Sequence, residues 1–416
     1  MKQDINRKGL AIDTRFCTMC GLCIAVCPVG ALGLTQSGSD LSITFKGKCV
    51  DCGICYQICP GKNVPLKDLD RFLFGRERDL KVEFLGIIKA CYQANAADPE
   101  IRAKGASGGV VTALLVYALE KRLISAANVI VFDKEQPWKA KPMLATTREE
   151  IINAAQSKYV IVPANAALTK PEVSNLSGAL ACVGLPCHVH GIQKLRYYYS
   201  DHFLSKKVAF IIGIHCGGAT SMGRNESWLR KYFGVESLND IERLSYRKGK
   251  GNNAYAEVVR RDGELIRLGR SVSAGPRDNT AERCMLCWDW SAELSDVSVG
   301  DFFGPAASGS DVHLGASTLI VRTQFGEKLV RGAVEEGYLK IYPTPIDPVV
   351  RSYGFMVKKH GRATALVTFK KYGLPCPDYQ YEVEPMGPLD KESTAIGTSI
   401  EERELFWAKR GIYPLS

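Results

Sequence analysis

Apolar positions in this chain gather into a few dense runs separated by breaks rich in Gly, Pro and Cys. Val110 to Glu120 carries apolar side chains at helical spacing and predicts a helix. Residues 128–132, 179–183 and 208–214 are short, nearly continuous apolar runs, which predict buried strands. Near the N-terminus Leu41-Ser42-Ile43-Thr44-Phe45 alternates like a strand, and Val29-Gly30-Ala31-Leu32 starts another, within a small β-rich module ending near residue 65. Residues 66–79 are charged, with Arg71, Arg76, Glu77 and Arg78, and read as a linker or a short solvated helix. From Val82 onward, strands end in Cys- and Gly-bearing loops separated by helical stretches. That pattern predicts an α/β domain with its site at the strand ends. The tail from Tyr372 holds Leu374-Pro375-Cys376-Pro377 and Glu382-Val383-Glu384-Pro385, and reads as an extended arm, with a short helix over 401–410. The expected organisation is a small module at 1–65, a linker at 66–81, an α/β domain at 82–371 and an arm at 372–416.

Composition sharpens this. At 416 residues, 46% hydrophobic and 24% charged, the chain can bury a sizeable core, so global disorder is excluded. Its longest apolar runs are far short of the roughly 20 residues that span a bilayer, and MKQDINRKGL lacks a signal peptide's apolar stretch. The expectation is a cytoplasmic protein without a transmembrane segment. The net charge of +10 invites a nucleic-acid reading, but no Lys/Arg run is interleaved with aromatics. No nucleic-acid partner is expected; an anionic cofactor or acidic protein suits the charge as well.

The cysteine count changes the picture most. Fifteen Cys in a reducing compartment point to metal ligands or redox thiols. Cys17, Cys20, Cys23 and Cys27-Pro28 form one C-x2-C-x2-C-x3-C-P run, and Cys49, Cys52, Cys55 and Cys59-Pro60 form a second. Such a run supplies three thiolates to one [4Fe–4S] cube and its fourth to the other. Cys17, Cys20, Cys23 and Cys59 are therefore assigned to one cluster, and Cys49, Cys52, Cys55 and Cys27 to the second. Zinc is the alternative, but zinc knuckles rarely repeat this pattern with Pro closing both copies. The segment resembles bacterial two-cluster ferredoxins, which implies a small α+β domain.

Cys187, Cys216, Cys284 and Cys287 all lie in strand-end or Gly/Pro-marked loops. Four is the ligand count of one more [4Fe–4S] cluster; the other reading is buried strand-end thiols. Cys91, Cys182 and Cys376 are left over. Gly105-Ala106-Ser107-Gly108-Gly109 precedes the 110–120 helix, which suits a phosphate at a helix N-terminus or an ordinary turn and cap.

Taken in order, Gly105-Ala106-Ser107-Gly108-Gly109, Ser157-Lys158-Tyr159, Gly184-Leu185-Pro186-Cys187, Cys216-Gly217-Gly218, Cys284-x-x-Cys287 and Gly300-Asp301 resemble the coenzyme F420 hydrogenase/dehydrogenase beta-subunit family over residues 82–345. The N-terminal ferredoxin fusion also occurs there, as in the electron-input subunit of F420H2 dehydrogenase complexes. The resemblance implies a non-covalent FAD, with contacts at Lys104, Ser107, Gly108, Gly109, Thr112, Ser157, Lys158 and Tyr159. It also implies a third [4Fe–4S] cluster at Cys187, Cys216, Cys284 and Cys287.

A flavin beside a cluster chain converts a two-electron hydride into single electrons. The expected activity is an iron–sulfur flavoprotein oxidoreductase, exchanging hydride with F420 or a similar carrier and electrons with a partner protein or larger complex. Two alternatives stand beside it: a ferredoxin-dependent flavin reductase of an organic substrate, and a non-catalytic electron-transfer subunit. His188 and Asp289 are candidate proton carriers, each also readable as a structural hydrogen-bonding group. Homo-oligomerisation is left open, and an anaerobic source suits oxygen-sensitive clusters.

Overall fold

Continuous apolar runs such as Val208–Ile214 can bury both faces only inside a covered sheet, and that is where they lie. The computed structural model describes residues 16–83, 85–250, 253–269, 281–302, 304–346 and 355–383. The expected 401–410 helix falls outside them.

The N-terminal strands β1 (Leu32–Ser37) and β2 (Asp40–Phe45) form an antiparallel hairpin. Eight strands make the main sheet among the described residues: β3 (Ala90–Ala96), β4 (Ala126–Phe132), β5 (Ala140–Ala145), β6 (Leu180–Gly184), β7 (Val208–Ile214), β11 (Val297–Asp301), β12 (Ser317–Val321) and β13 (Leu339–Pro343). Their order is β13-β3-β12-β11-β7-β6-β4-β5. Strands β11, β7, β6 and β4 run parallel, and antiparallel strands extend the sheet on both sides. A separate antiparallel sheet holds β8 (Ile241–Lys248), β9 (Tyr255–Arg260) and β10 (Leu265–Gly269).

Helices cover both faces of the parallel strands, which is why those strands are apolar throughout. On one face the Val110–Glu120 helix buries Val110, Leu114, Leu115 and Ala118 in a core with Phe210, Ile212, Val297 and Leu319. On the other, the Pro186–Tyr198 helix buries Val189, Ile192 and Leu195 in a core with Leu180 and Ile211. That second core also takes in Phe16, Leu22, Ile58 and Val64 of the N-terminal segment. The two parts therefore share one hydrophobic interior.

The charged 66–79 segment, read as a linker or a short solvated helix, does form a helix, but its inner face is buried. A helix spans Leu66–Phe74, with Leu66, Leu69 and Asp70 fully buried, and Arg78 is buried as well. Periodicity hid this because its apolar stripe is narrow and its inward-facing polar residues are ion-paired. Arg78 grips Asp70 through Nε at 2.7 Å and Nη2 at 2.9 Å, and its Nη1 binds Glu293. Glu293 also accepts from Lys359 Nζ at 2.5 Å. Of the expected arm only residues 372–383 are described, and there Tyr379, Tyr381 and Val383 are buried, with Tyr381 Oη reaching Asp70 at 2.9 Å. No described helix is long and apolar enough to cross a membrane.

Candidate redox centre

Both N-terminal cysteine loops have the same local backbone. Met19 and Asp51, each just before the second Cys of its run, have φ of 52°, and Gly21 and Gly53 just after it have φ of 80° and 72°. One-turn helices follow, Leu22–Ala25 and Ile54–Gln57. Left-handed backbone on either side of a residue is the kind of turn that can gather N–H groups into a concavity for an anionic core. Backbone donors already aim at sulfur, among them Ala31 N–H at Cys27 Sγ, 3.2 Å, and Asp51 N–H at Cys49 Sγ, 3.3 Å.

Electrostatic coupling shows which thiols are neighbours. Burial pushes the Cys20 thiol up to about 12, with charge on Cys59 and Cys17 adding to it. Cys23 is raised by burial, then by Cys20, Cys17 and Cys59, with Cys55 next. Cys55 is pushed to about 11 by burial first, with Cys52, Cys27 and Cys49 contributing. The fourth Cys of each run thus lies with the first three of the other. Cys27, Cys49, Cys52 and Cys55 line an apolar hollow with Leu32, Phe45 and Ile54.

The four later cysteines also converge. Cys187 sits in the first turn of the Pro186–Tyr198 helix, Cys216 just beyond β7, Cys284 in the Glu282–Met285 helix and Cys287 after it. All four line one cavity with Ile161, Val162, Trp290 and, from the N-terminal segment, Cys17. Burial raises Cys187, and the charges of Cys216, Cys20, Cys287 and Cys284 raise it further. Thiols packed this way can all be thiolates only around a cationic core, so the donor set fits an iron–sulfur cluster. Cys91 and Cys182 stand apart in β3 and β6 as buried thiols, each pushed to about 12 chiefly by desolvation.

His188 and Asp289 both line the cavity of the later cysteines, and each makes hydrogen bonds to its own surroundings. His188 Nδ1 accepts from Leu185 N–H at 3.2 Å, capping its own helix, and burial lowers it to about 4. Asp289 Oδ2 binds His190 Nε2 at 2.8 Å and accepts from Glu293 N–H at 2.9 Å.

The Gly-rich turn is a tight junction. A Cβ on Gly108 would meet Ala94 O at 2.6 Å, and Gly109 has φ of 75° at the start of the Val110–Glu120 helix, which has no side-chain cap. Ser107 Oγ donates to Asp301, and Gly108 N–H to Ser317 Oγ at 3.0 Å. Lys104 pairs with Glu100 at 2.9 Å, and Thr112 is buried one turn into the helix. Lys158 Nζ is spent on the carbonyls of Ala154, Ala155 and Gln156 at 2.8–3.0 Å, closing the end of the Arg148–Asn153 helix.

Sequence reasoning missed the cations nearest the turn. Lys250 Nζ binds the carbonyls of Arg102 and Ser107, both at 3.0 Å, and that of Gly105; Arg247 pairs with Asp301 and bonds the Tyr159 hydroxyl. These residues sit on or just after β8, some 140 positions along the chain, with no local motif to mark them. An uncapped helix start beside two cations fits an anionic phosphate group.

The family model for the C terminus of the coenzyme F420 hydrogenase/dehydrogenase beta subunit matches residues 178–346, and the one for its N-terminal part matches 91–169. Coenzyme F420 hydrogenase subunit beta of Methanothermobacter thermautotrophicus is 30% identical over 306 residues, covering 70% of this chain and 99% of that protein. The chain belongs to the coenzyme F420 hydrogenase/dehydrogenase beta-subunit family. Its N-terminus carries a 4Fe-4S dicluster domain, matched over residues 9–60. A coenzyme F420-dependent sulfite reductase of Methanocaldococcus jannaschii is 28% identical over 336 residues, covering 78% of this chain and 47% of that protein. The fold of this family member resembles a chain of the F420-reducing [NiFe] hydrogenase complex from Methanosarcina barkeri. The TM-score is 0.56 and the identity 26%, covering 70% of this chain and 95% of the other.

Proposed function

We propose that this chain passes electrons between a hydride carrier of the F420 type and a one-electron partner protein within a larger redox complex, with FAD and three [4Fe–4S] clusters as resident groups. The observation that carries the reading is the unbroken succession of thiol sets. Cys17 and Cys20 adjoin the Cys187 set, and Cys23 adjoins Cys55 of the outer set. Bound FAD supplies the exchange between two-electron and one-electron chemistry, and each bound cluster carries a single electron.

Cys187, Cys216, Cys284 and Cys287 would hold the inner cluster. Cys17, Cys20, Cys23 and Cys59 would hold the middle one, and Cys27, Cys49, Cys52 and Cys55 the outer one. FAD would lie with its phosphates at Ser107, Gly108 and Gly109, near Thr112, with Arg247 and Lys250 providing positive charge. The loop of Ser157, Lys158 and Tyr159 would flank it. The F420-linked names of the relatives above support the choice of carrier and of a multi-subunit setting.

The test is anaerobic reduction with F420H2, NAD(P)H and dithionite, followed optically beside iron and flavin counts. The proposal expects about twelve irons per chain, one flavin, and bleaching by F420H2 but not NAD(P)H. A chain without flavin, or one that F420H2 leaves unbleached, overturns it. Cys216→Ser should lower iron by about four atoms; unchanged iron removes the inner cluster.

Flavin binding has its own test. Arg247→Met and Lys250→Met are each expected to weaken FAD retention about tenfold, on the order of 1.4 kcal/mol, leaving iron unaltered. Equal flavin occupancy in wild type and both variants would place the cofactor elsewhere.

A further inference from the structure

One buried cation stands between two of the thiol sets with part of its hydrogen-bonding capacity unused. Arg283 is 3% exposed and lines the cavity of Cys187, Cys216, Cys284 and Cys287. Its Nη2 donates to Pro60 O at 3.0 Å and to Tyr379 Oη at 3.3 Å. Nε and Nη1 are buried with no hydrogen-bond partner among the described residues. Leaving donors of a charged group unmet in a protein interior is costly, so these two atoms call for an acceptor. An arginine guanidinium keeps its proton even in a protein interior, so the unmet donors belong to a cation. The other cation lining the cavity, Arg362, is directed to Met285 Sδ at 2.6 Å and Gly217 O. The opposing carboxylate, Asp289, is engaged by His190 through Oδ2, while its buried Oδ1 has no hydrogen-bond partner among the described residues.

We propose that Arg283 is a positioning residue for the inner cluster, donating through Nε and Nη1 to sulfur at the Cys187/Cys216/Cys284/Cys287 site while Nη2 ties the same guanidinium to the turn after Cys59. This rests on the reading above that a [4Fe–4S] cluster occupies that site. Accepting one electron makes such a cluster more negative, with no bond made or broken. A fixed buried cation beside it favours the reduced form, since charges interact strongly in a low-dielectric interior. Arg283 thus sets how readily the inner cluster is reduced, at the point where it meets the middle thiol set.

The experiment is an EPR-monitored redox titration of the full anaerobic chain with iron counts, on wild type, Arg283→Met, Arg283→Lys and Arg362→Met. The signal missing from Cys216→Ser identifies the inner cluster. Arg283→Met is expected to keep about twelve irons. It should shift that signal's reduction equilibrium at least tenfold toward the oxidised form, about 59 mV for one electron. Arg283→Lys should give a smaller shift of the same sign, and Arg362→Met less still. Twelve irons with an unmoved potential overturn the role of Arg283 alone; eight irons in wild type overturn the inner cluster and this proposal with it. Should Arg283→Met lose iron, Arg283→Lys decides: an inner-cluster potential equal to wild type overturns the proposal.

Discussion

Arg78→Met is expected to lower folding stability by about 3–5 kcal/mol, the penalty for stranding buried charges when one partner is removed. Arg78, Asp70 and Glu293 have fully buried side chains, and Lys359 is 1% exposed. Two cations balance two carboxylates. Without Arg78, Asp70 keeps the Tyr381 hydroxyl among the described residues, and Glu293 keeps Lys359. Arg78→Lys preserves the charge but cannot repeat the two-pronged grip on Asp70, so its cost should be intermediate. Arg76 is the control: it pairs with Glu83 in the same stretch but is 53% exposed, and Arg76→Met should cost under about 1 kcal/mol. Anaerobic urea titration followed by tryptophan fluorescence reads the difference. Equal midpoints for Arg78→Met and Arg76→Met would show that the buried network adds nothing.

The second large effect is expected at Lys194. This side chain is fully buried on the Pro186–Tyr198 helix, the helix that also carries Cys187. Its Nζ donates to Cys59 O at 2.7 Å, and to Asn63 O and Asn63 Oδ1, both at 2.8 Å. One ammonium thereby fixes the turn that presents Cys59. Lys194→Met leaves three acceptors without a donor, each costing about 1–3 kcal/mol if the turn does not relax. Relaxation is the cheaper outcome, and it moves Cys59. The expected result is loss of about four irons from the dicluster domain, the complement of one cube. An iron count and EPR spectrum identical to wild type would show that Cys59 holds its place without Lys194.

Legibility from sequence followed the physics of each feature. The Val110–Glu120 helix and Val208–Ile214 strand were readable to the residue because both are buried nearly all round, so their apolar runs are unbroken. Strand β8 escaped notice because only Ile241, Leu244 and Tyr246 turn inward, among Glu and Arg facing out. β3 was hidden by Gln93 and Asn95, polar yet buried within it. In the candidate site, the eight N-terminal cysteines are local in sequence, so spacing alone suggested their grouping. The environment of Ser107 was not readable: Arg247, Lys250, Asp301 and Ser317 reach it from distant segments. The buried ion pairs around Arg78 misled the reading of 66–79, since charge in a sequence ordinarily marks solvent.

The shared interior bears on any attempt to use the iron–sulfur module elsewhere. Phe16, Leu22, Ile58 and Val64 are buried in one core with Val189, Leu195, Leu66 and Leu69 from beyond the module. Asp40 of the hairpin is held from the far side by Gly223 N–H at 2.9 Å. Cut free after residue 65, the fragment would present a greasy underside to water and aggregate. It is a fixed socket: a partner must travel to it, and grafting it onto another enzyme would require bringing the surface it sits on.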